Sequence, residues 1–348
     1  MELALSASRI KTAKTCSWQY FVKYVVKLPD KSNDGASRGW ICHLIFECLG
    51  RSQRVDRWKR IVSSGDVFSD LAIKRMAMKH AKKLGVDDED NVEMIKEMTM
   101  KGLNFDFDGE HLGAPDEVLI EHAFNIEVED EGKRFKVRGF IDKIFLYKKE
   151  KLAIIRDFKT SKKKFEGDDL NKNYQDYIYS LVVKRQFPDY NKRNSQFIFL
   201  KFGLVEGSKS DGFVGMKKIT DKQLDKFEHN LTGIQTYLEG FNERRGKSNY
   251  AADQGFGEGF VGPVVCGFAK KPGELKLNGL PKWHCPFKFA FGYYVILSKD
   301  GKIRKSGFLE DFMELEKSRK EDETLERRDY QGCPRFNGNK FDITQKMR

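Results

Sequence analysis

The chain has 348 residues, 39% hydrophobic and 13% aromatic, with 64 Lys and Arg against 52 Asp and Glu, a formal net charge of +12. That is enough apolar material for one large core or a core with an appended subdomain, and the basic balance favours a phosphate-bearing partner such as nucleic acid. No apolar run reaches the roughly 18 residues of a membrane span, no basic segment leads into a long apolar one at the N-terminus, and six cysteines without tight pairing fit a reducing cytoplasm better than a disulfide scaffold.

Residues 1–28 read as a helix holding Cys16, Trp18 and Tyr20, and residues 29–39 as a loop. Residues 40–112 read as largely helical, with amphipathic pieces at 54–62, 69–84 and 91–105 separated by Gly65 and Gly85. His43 lies in the strongly apolar run Trp40-Ile41-Cys42-His43-Leu44-Ile45-Phe46, where a lone histidine is more often a hydrogen-bonded core residue than a ligand. Strands follow from about 119 to 155. Residues 134–147 are rich in aromatic and β-branched side chains, and Tyr147-Lys148-Lys149-Glu150-Lys151 is polar enough to be a hairpin connection.

The next strand, Leu152 to Lys159, carries the strongest chemical signal. Alternation puts Asp157 and Lys159 on one face and Phe158 on the other, and antiparallel pairing across the hairpin can bring Asp142 close to Asp157. Two carboxylates and a backbone carbonyl from Phe158 are hard ligands that suit Mg2+ or Mn2+ and not zinc. Lys159 can then orient an attacking water and offset charge building on a phosphate. The competing reading is a surface hairpin with solvated charges. Lys162, Lys163 and Lys164 follow at once, and a phosphate path and a solvated loop explain that run equally well.

Beyond it, residues 173–187 form a helix with Gln175 and Tyr179 four apart on one face. The Gln175 amide can hold DNA or position a lysine, whereas Tyr179 could be plain core. A strand at 195–202 and a long amphipathic helix at 221–245 come next. The alternation predicts an α/β or α+β fold with a mixed central sheet flanked by helices, organised as a domain over residues 1–245 and a C-terminal extension over 246–348 packing on it.

Gly139-x-x-Asp142, then Asp157-x-Lys159-Thr160, then Gln175-x-x-x-Tyr179 resembles the PD-(D/E)XK nuclease superfamily, and within it the RecB-like exonuclease branch. Leu5-Ser6-Ala7-Ser8, Cys16-Ser17-Trp18-Gln19-Tyr20 and Gly39-x-x-x-His43 are similar to the opening of RecB-like and AddB-like nucleases. The motifs keep the family's order over about half the chain. The resemblance implies a restriction-endonuclease-like core with a helical insertion at about 50–115, and a Mg2+- or Mn2+-dependent exonuclease acting on single-stranded DNA or duplex ends in recombination, repair or replication. It makes His43 a third metal ligand and Glu121, just ahead of the strand 123–129, an auxiliary acidic residue.

No Gly-x-x-x-x-Gly-Lys-Ser/Thr motif occurs, so any unwinding must come from a helicase or recombination partner, and a small nuclease of this kind would suit a phage or mobile element. Several RecB-like nucleases bind an iron–sulfur cluster through a cysteine at the place of Cys16 and three more in a Cys-x-x-Cys-Pro-x-x-x-x-Cys run. Here Cys285 keeps the central cysteine, while Lys282 and Phe291 occupy the flanking places and cannot replace thiolates. Cys16 and Cys285 therefore read as a remnant without a cluster, unless Cys266 and Cys333 are recruited from afar. The reading from another class is a catalytically weak DNA-binding or scaffold subunit, against which the complete acidic and lysine motifs argue.

Overall fold

The computed structural model describes residues 3–30, 33–51, 56–130, 132–204, 211–254 and 261–336. Two compact units emerge: Met1–Ala7 with Ser32–Gln235, and Ser8–Lys31 with Thr236–Arg348. The division thus falls at Gln235/Thr236 and not after residue 245, and most of the N-terminal segment belongs with the C-terminal part. The reason is a shared core, in which Trp18 and Val22 pack with Tyr250, Phe287 and Val295.

The first unit is built on a five-stranded mixed sheet of order β1(Glu117–Asp130), β2(Lys133–Tyr147), β3(Leu152–Lys159), β4(Lys192–Phe199) and β5(Phe213–Gly215). All neighbours are antiparallel except β3 and β4. A parallel pair needs a crossover, and the helix Tyr174–Gln186 lies in it. β3 is buried along nearly its whole length, as a central strand covered on both faces must be. Helices Asp34–Gly50, Asp56–Ser64, Leu71–Leu84 and Glu89–Asn104 precede the sheet in the chain. Ile41, Ile45, Phe46 and Leu49 share a core with Ile73, Ala77, Ile95, Phe158 and Ile198. This is the α/β fold expected from the alternation of elements, with a mixed sheet flanked by helices.

In the second unit the N-terminal helix is broken where sequence reading had it continuous. Cys16 adopts extended backbone between Ala7–Thr15 and Ser17–Tyr20. A three-stranded antiparallel sheet of order β7(Ile303–Phe308), β6(Phe291–Leu297) and β8(Thr324–Tyr330) forms the rest of the framework. Trp18 Nε1 donates to the Tyr330 hydroxyl at 2.8 Å, which donates to the Phe287 carbonyl at 2.9 Å. Cys266 and Cys333 line the same cavity as Cys16 and Cys285. Lys282 is paired with Glu274 at 2.6 Å and the Phe291 ring lies 5.2 Å from that of Tyr330.

One stabilising device stands out among these helices. Asp70 caps the helix Leu71–Leu84 by accepting the Ala72 and Ile73 N–H groups at 3.0 and 3.1 Å, and also takes the Arg57 fork at 2.7 and 2.9 Å. The Arg57 hydrogen bonds, with help from the Ile73 N–H and against the effect of burial, hold its carboxyl down from 3.8 to about 2. Losing the cap costs about 1–2 kcal/mol, so Asp70→Ala is expected to lower the urea midpoint at neutral pH. A folded pKa below the unfolded one stabilises in full above the unfolded value of 3.8 and is lost as pH falls through the folded value. The difference in midpoint between wild type and variant should therefore narrow between about pH 4 and about pH 2.

Candidate active site

Three acidic residues stand in a row across β1, β2 and β3. The β2–β3 ladder runs from Tyr147↔Leu152 to Lys143↔Arg156, and one step further its register sets Asp142 opposite Asp157. On the other side, Ile120↔Lys143 and His122↔Ile141 bracket Glu121 opposite Asp142. Glu121 lies inside β1, not ahead of it, in left-handed backbone with φ 46°. A non-glycine residue pays for that conformation in strain, which is retained where the surroundings demand it. Past Lys143↔Arg156 the Asp142 side chain takes over, accepting the Phe158 N–H at 2.7 Å through Oδ2.

The fourth member comes from the helix Asp34–Gly50. A Cβ on Gly39 would fall 2.5 Å from Thr160 Oγ1, so the absence of a side chain lets the helix approach the end of β3. One turn later His43 Nδ1 lies 3.2 Å from Asp142 Oδ2. Phe46, on the next turn, holds the helix down with its ring 4.3 Å from that of Phe158. Gly139 has a matching role in β2, since a Cβ there would meet the Phe124 ring at 2.8 Å.

Asn173 caps the helix Tyr174–Gln186, accepting the Gln175 N–H at 2.9 Å, and directs Gln175 and Tyr179 to Asp157. Gln175 Nε2 donates to Asp157 Oδ1 at 2.7 Å and to the Tyr179 hydroxyl at 2.6 Å, while its Oε1 accepts from Lys159 Nζ at 2.7 Å. This orientation of the amide is the one its neighbours require, with the donor toward the carboxylate and the acceptor toward the ammonium. The Tyr179 hydroxyl is 3.0 Å from both Asp157 Oδ1 and the Phe140 carbonyl. Lys159 Nζ sits 2.6 Å from Asp157 Oδ2 as an ion pair, but that oxygen is buried and has no hydrogen bond of good geometry.

The electrostatics follow from burial and crowding. Burial, then the Asp142 charge, raises Glu121 to about 7. For His43, burial works against the imidazolium, but Asp142 outweighs it and holds the group at about 9. Asp142 is opposed by burial and held low by His43 and the Phe158 N–H, whereas burial and the Asp142 charge leave Asp157 raised despite Lys159. Ligand atoms of His43, Glu121 and Asp142 lie within 4.8 Å of one another. These three make a mainly hard donor set, which fits a divalent cation, whereas Asp157 Oδ2 is engaged by the Lys159 ammonium.

The structure therefore brings together His43, Glu121, Asp142, Asp157, Phe158, Lys159, Gln175 and Tyr179. The lysine run divides. Lys162 and Lys163 are exposed, but Lys164 turns its Nζ over the Phe202 ring at 5.3 Å, with Asp211 at 3.9 Å. Sequence reading missed two further cations, Arg38 and Lys201. Burial, then Arg38 and Lys162, lowers the Lys201 pKa, and the buried Arg38 Nε has no hydrogen-bond partner. Arg38 immediately precedes Gly39, so the signal was adjacent to a motif already singled out.

The sequence profile of the PD-(D/E)XK nuclease superfamily matches residues 4–252. No curated protein matches the chain. A crystal structure of SSO0001 matches 57% of this chain and 75% of its own length at 14% identity, with a TM-score of 0.23, and at that score the likeness has no bearing on fold or function.

Gly39 supplies a test of the geometry. Gly39→Ala sets a methyl against Thr160 Oγ1 and is expected to shift the helix carrying His43, weakening the binding of a divalent cation by about tenfold. Thr160→Ala in the same chain removes the opposing oxygen and should restore most of the loss, whereas Thr160→Val, which keeps an atom at that place, should not. Metal titration by calorimetry distinguishes the three.

Proposed function

The chain belongs to the PD-(D/E)XK nuclease superfamily, and from that membership we propose that it is a DNA exonuclease, cutting single strands or duplex ends with Mg2+ or Mn2+. Metal-dependent hydrolysis of phosphodiester bonds is the chemistry of the superfamily. The substrate, the direction toward ends and the residue roles below are our reading. We assign Asp142, Asp157 and His43 as metal ligands, with the Phe158 carbonyl as a further one and Glu121 as the auxiliary carboxylate. A cation bound there polarises the phosphate and makes water more acidic.

The chain's own residues do the rest. Lys159, tethered by Gln175 and Asp157, can hydrogen-bond the attacking water and offset negative charge as the phosphorus adds oxygen. Gln175 keeps Lys159 and Asp157 in one geometry, and Tyr179 supports it from the next turn. Arg38, Lys162 and Lys201 provide a positive approach, with Lys163 exposed beside them and Lys164 at its edge. The single observation that carries the reading is Lys159 fixed between Asp157 and Gln175 beside the row of carboxylates. A scaffold that only bound DNA would have no use for acidic groups packed against phosphate, which weighs against that alternative.

Recombination, repair or replication, with a helicase or recombination partner, is the setting the proposed activity suits, as is the cytoplasm of a phage host. No helix among the described residues is long and apolar enough to cross a membrane.

End-labelled single-stranded and duplex DNA, with Mg2+, with Mn2+ and with chelator, tests the reading directly. Lys159→Ala, Asp142→Ala and Asp157→Ala are each expected to reduce metal-dependent cleavage by about 10²–10³-fold while leaving much of the DNA affinity. Full activity in Lys159→Ala would sink the assignment. Lys162→Ala with Lys201→Ala should weaken binding to all sequences and flatten the slope of log K against log salt by about 0.7–0.9 for each phosphate no longer neutralised. An unchanged slope returns these lysines to the status of solvated surface.

A further inference from the structure

The open face of the β1–β2 ribbon carries a side chain to which the chemistry of the carboxylate row gives no task. Phe140 and Asp142 are two residues apart on β2 and so point to the same side of the sheet. Phe140 is 61% exposed, whereas Phe124, Ile126, Val128, Phe135, Val137 and Ile141 on the opposite face are buried. Resting on the nuclease reading above, we propose that the Phe140 ring is a platform for one unpaired base of the bound strand, between a phosphate at the carboxylate row and a second phosphate held by Arg138.

The order of residues along the ribbon supports this placement. Beyond the row of Glu121 and Asp142, the cross-strand pairs on that face are Ala123↔Phe140, Asn125↔Arg138 and Glu127↔Lys136. Ala123 is too small to cover the neighbouring ring. Asn125 brings no charge to Arg138, which is exposed, while Lys136, one row further, is tied to Glu127 at 2.9 Å. Arg138 is thus the first cation along this face from the carboxylates. At about 3.4 Å per residue the carboxylate, ring and guanidinium follow one another in steps of about 7 Å. The alternation is that of phosphate, base and phosphate in an extended strand.

The platform is also fixed to the site. The Tyr179 hydroxyl lies 3.0 Å from both the Phe140 carbonyl and Asp157 Oδ1, so one group sets the strand under the ring and the carboxylate. Gly139 lets the strand settle on the Phe124 ring, which a Cβ would meet at 2.8 Å. A single apolar side chain at a surface is ordinary. One braced in this way, with acidic groups on one side and a guanidinium on the other, presents a π-face that any base can use. A base within a duplex is stacked on both sides and cannot reach it, so the platform selects single strands and frayed ends.

The experiment compares binding of an oligothymidylate and an abasic strand of the same length, in chelator so that neither is cut. The wild-type protein should bind the oligothymidylate about tenfold more tightly. Phe140→Ala is expected to lose about that factor on the oligothymidylate and nothing on the abasic strand. Phe140→Tyr should keep the preference, and Phe140→Leu, apolar without a π-face, should lose it. Arg138→Ala should reduce the slope of log K against log salt by about 0.7 on both strands. Equal affinity of the wild type for the two strands overturns the inference whether or not a variant folds. An equal loss on both strands in Phe140→Ala, or an unchanged slope in Arg138→Ala, overturns it as well. Metal-dependent cleavage that persists beside any of these results leaves the nuclease reading standing, whereas a wild type that discriminates the strands but cuts no DNA removes that reading and leaves the platform.

Discussion

Asp142 and Asp157 stand in register on adjacent strands, with side chains only 11% and 4% exposed. Like charges so placed repel strongly where little water screens them, and each loses hydration on burial. The surrounding structure is largely an answer to that constraint. Asp142 is met by His43 and the Phe158 N–H, and Asp157 by Lys159, Gln175 and Tyr179. Glu121, third in the row, is pushed up to about 7 by burial and by Asp142. The arrangement is balanced for a cation, since a divalent ion would replace the proton and the crowding at once.

The same strands carry the opposite charge on their other face. Lys143 and Arg156 are cross-strand partners, each one residue from a carboxylate of the row and each only 2% exposed. Arg156 is satisfied by Asp106 Oδ2 at 2.9 Å and by Gln196 Oε1 at 2.9 and 3.1 Å, and Lys143 donates to the Phe107 carbonyl with its ammonium over that ring. Burial, then the Arg156 charge, pushes the Lys143 pKa well below the ordinary lysine range. Strand alternation thus sorts four ionisable groups into an acidic face and a basic face with no helix or loop between them.

How much of this could be read from the sequence depends on the range of the interaction. Asp157, Lys159 and the Gln175–Tyr179 pair rest on alternation within one strand or one turn of helix, so their shared faces were legible. Asp142 needed only a hairpin register. Glu121 was located poorly, because nothing in its spacing announces a left-handed residue inside a strand. Arg38 and Lys201 are far apart in sequence and meet only through tertiary packing. The same holds for the four cysteines, which span positions 16 to 333, and for the break at Cys16, which a continuous apolar pattern conceals. The three-stranded sheet from Phe291 to Tyr330 went unread although Asp300-Gly301, with Gly301 in left-handed backbone at φ 74°, marks the turn between β6 and β7.

The division of the chain into a nearly continuous unit and a discontinuous one has a consequence for synthesis. Residues 8–31 are made well ahead of Phe241, Tyr250, Phe287 and Val295, the long-range partners of Trp18, Tyr20 and Val22. Until those partners exist the segment has no core to enter, while the unit encoded between can close on itself. The order of synthesis therefore favours the sheet-bearing unit forming first, with Trp18, Tyr20 and Val22 left open to chaperones in the interval.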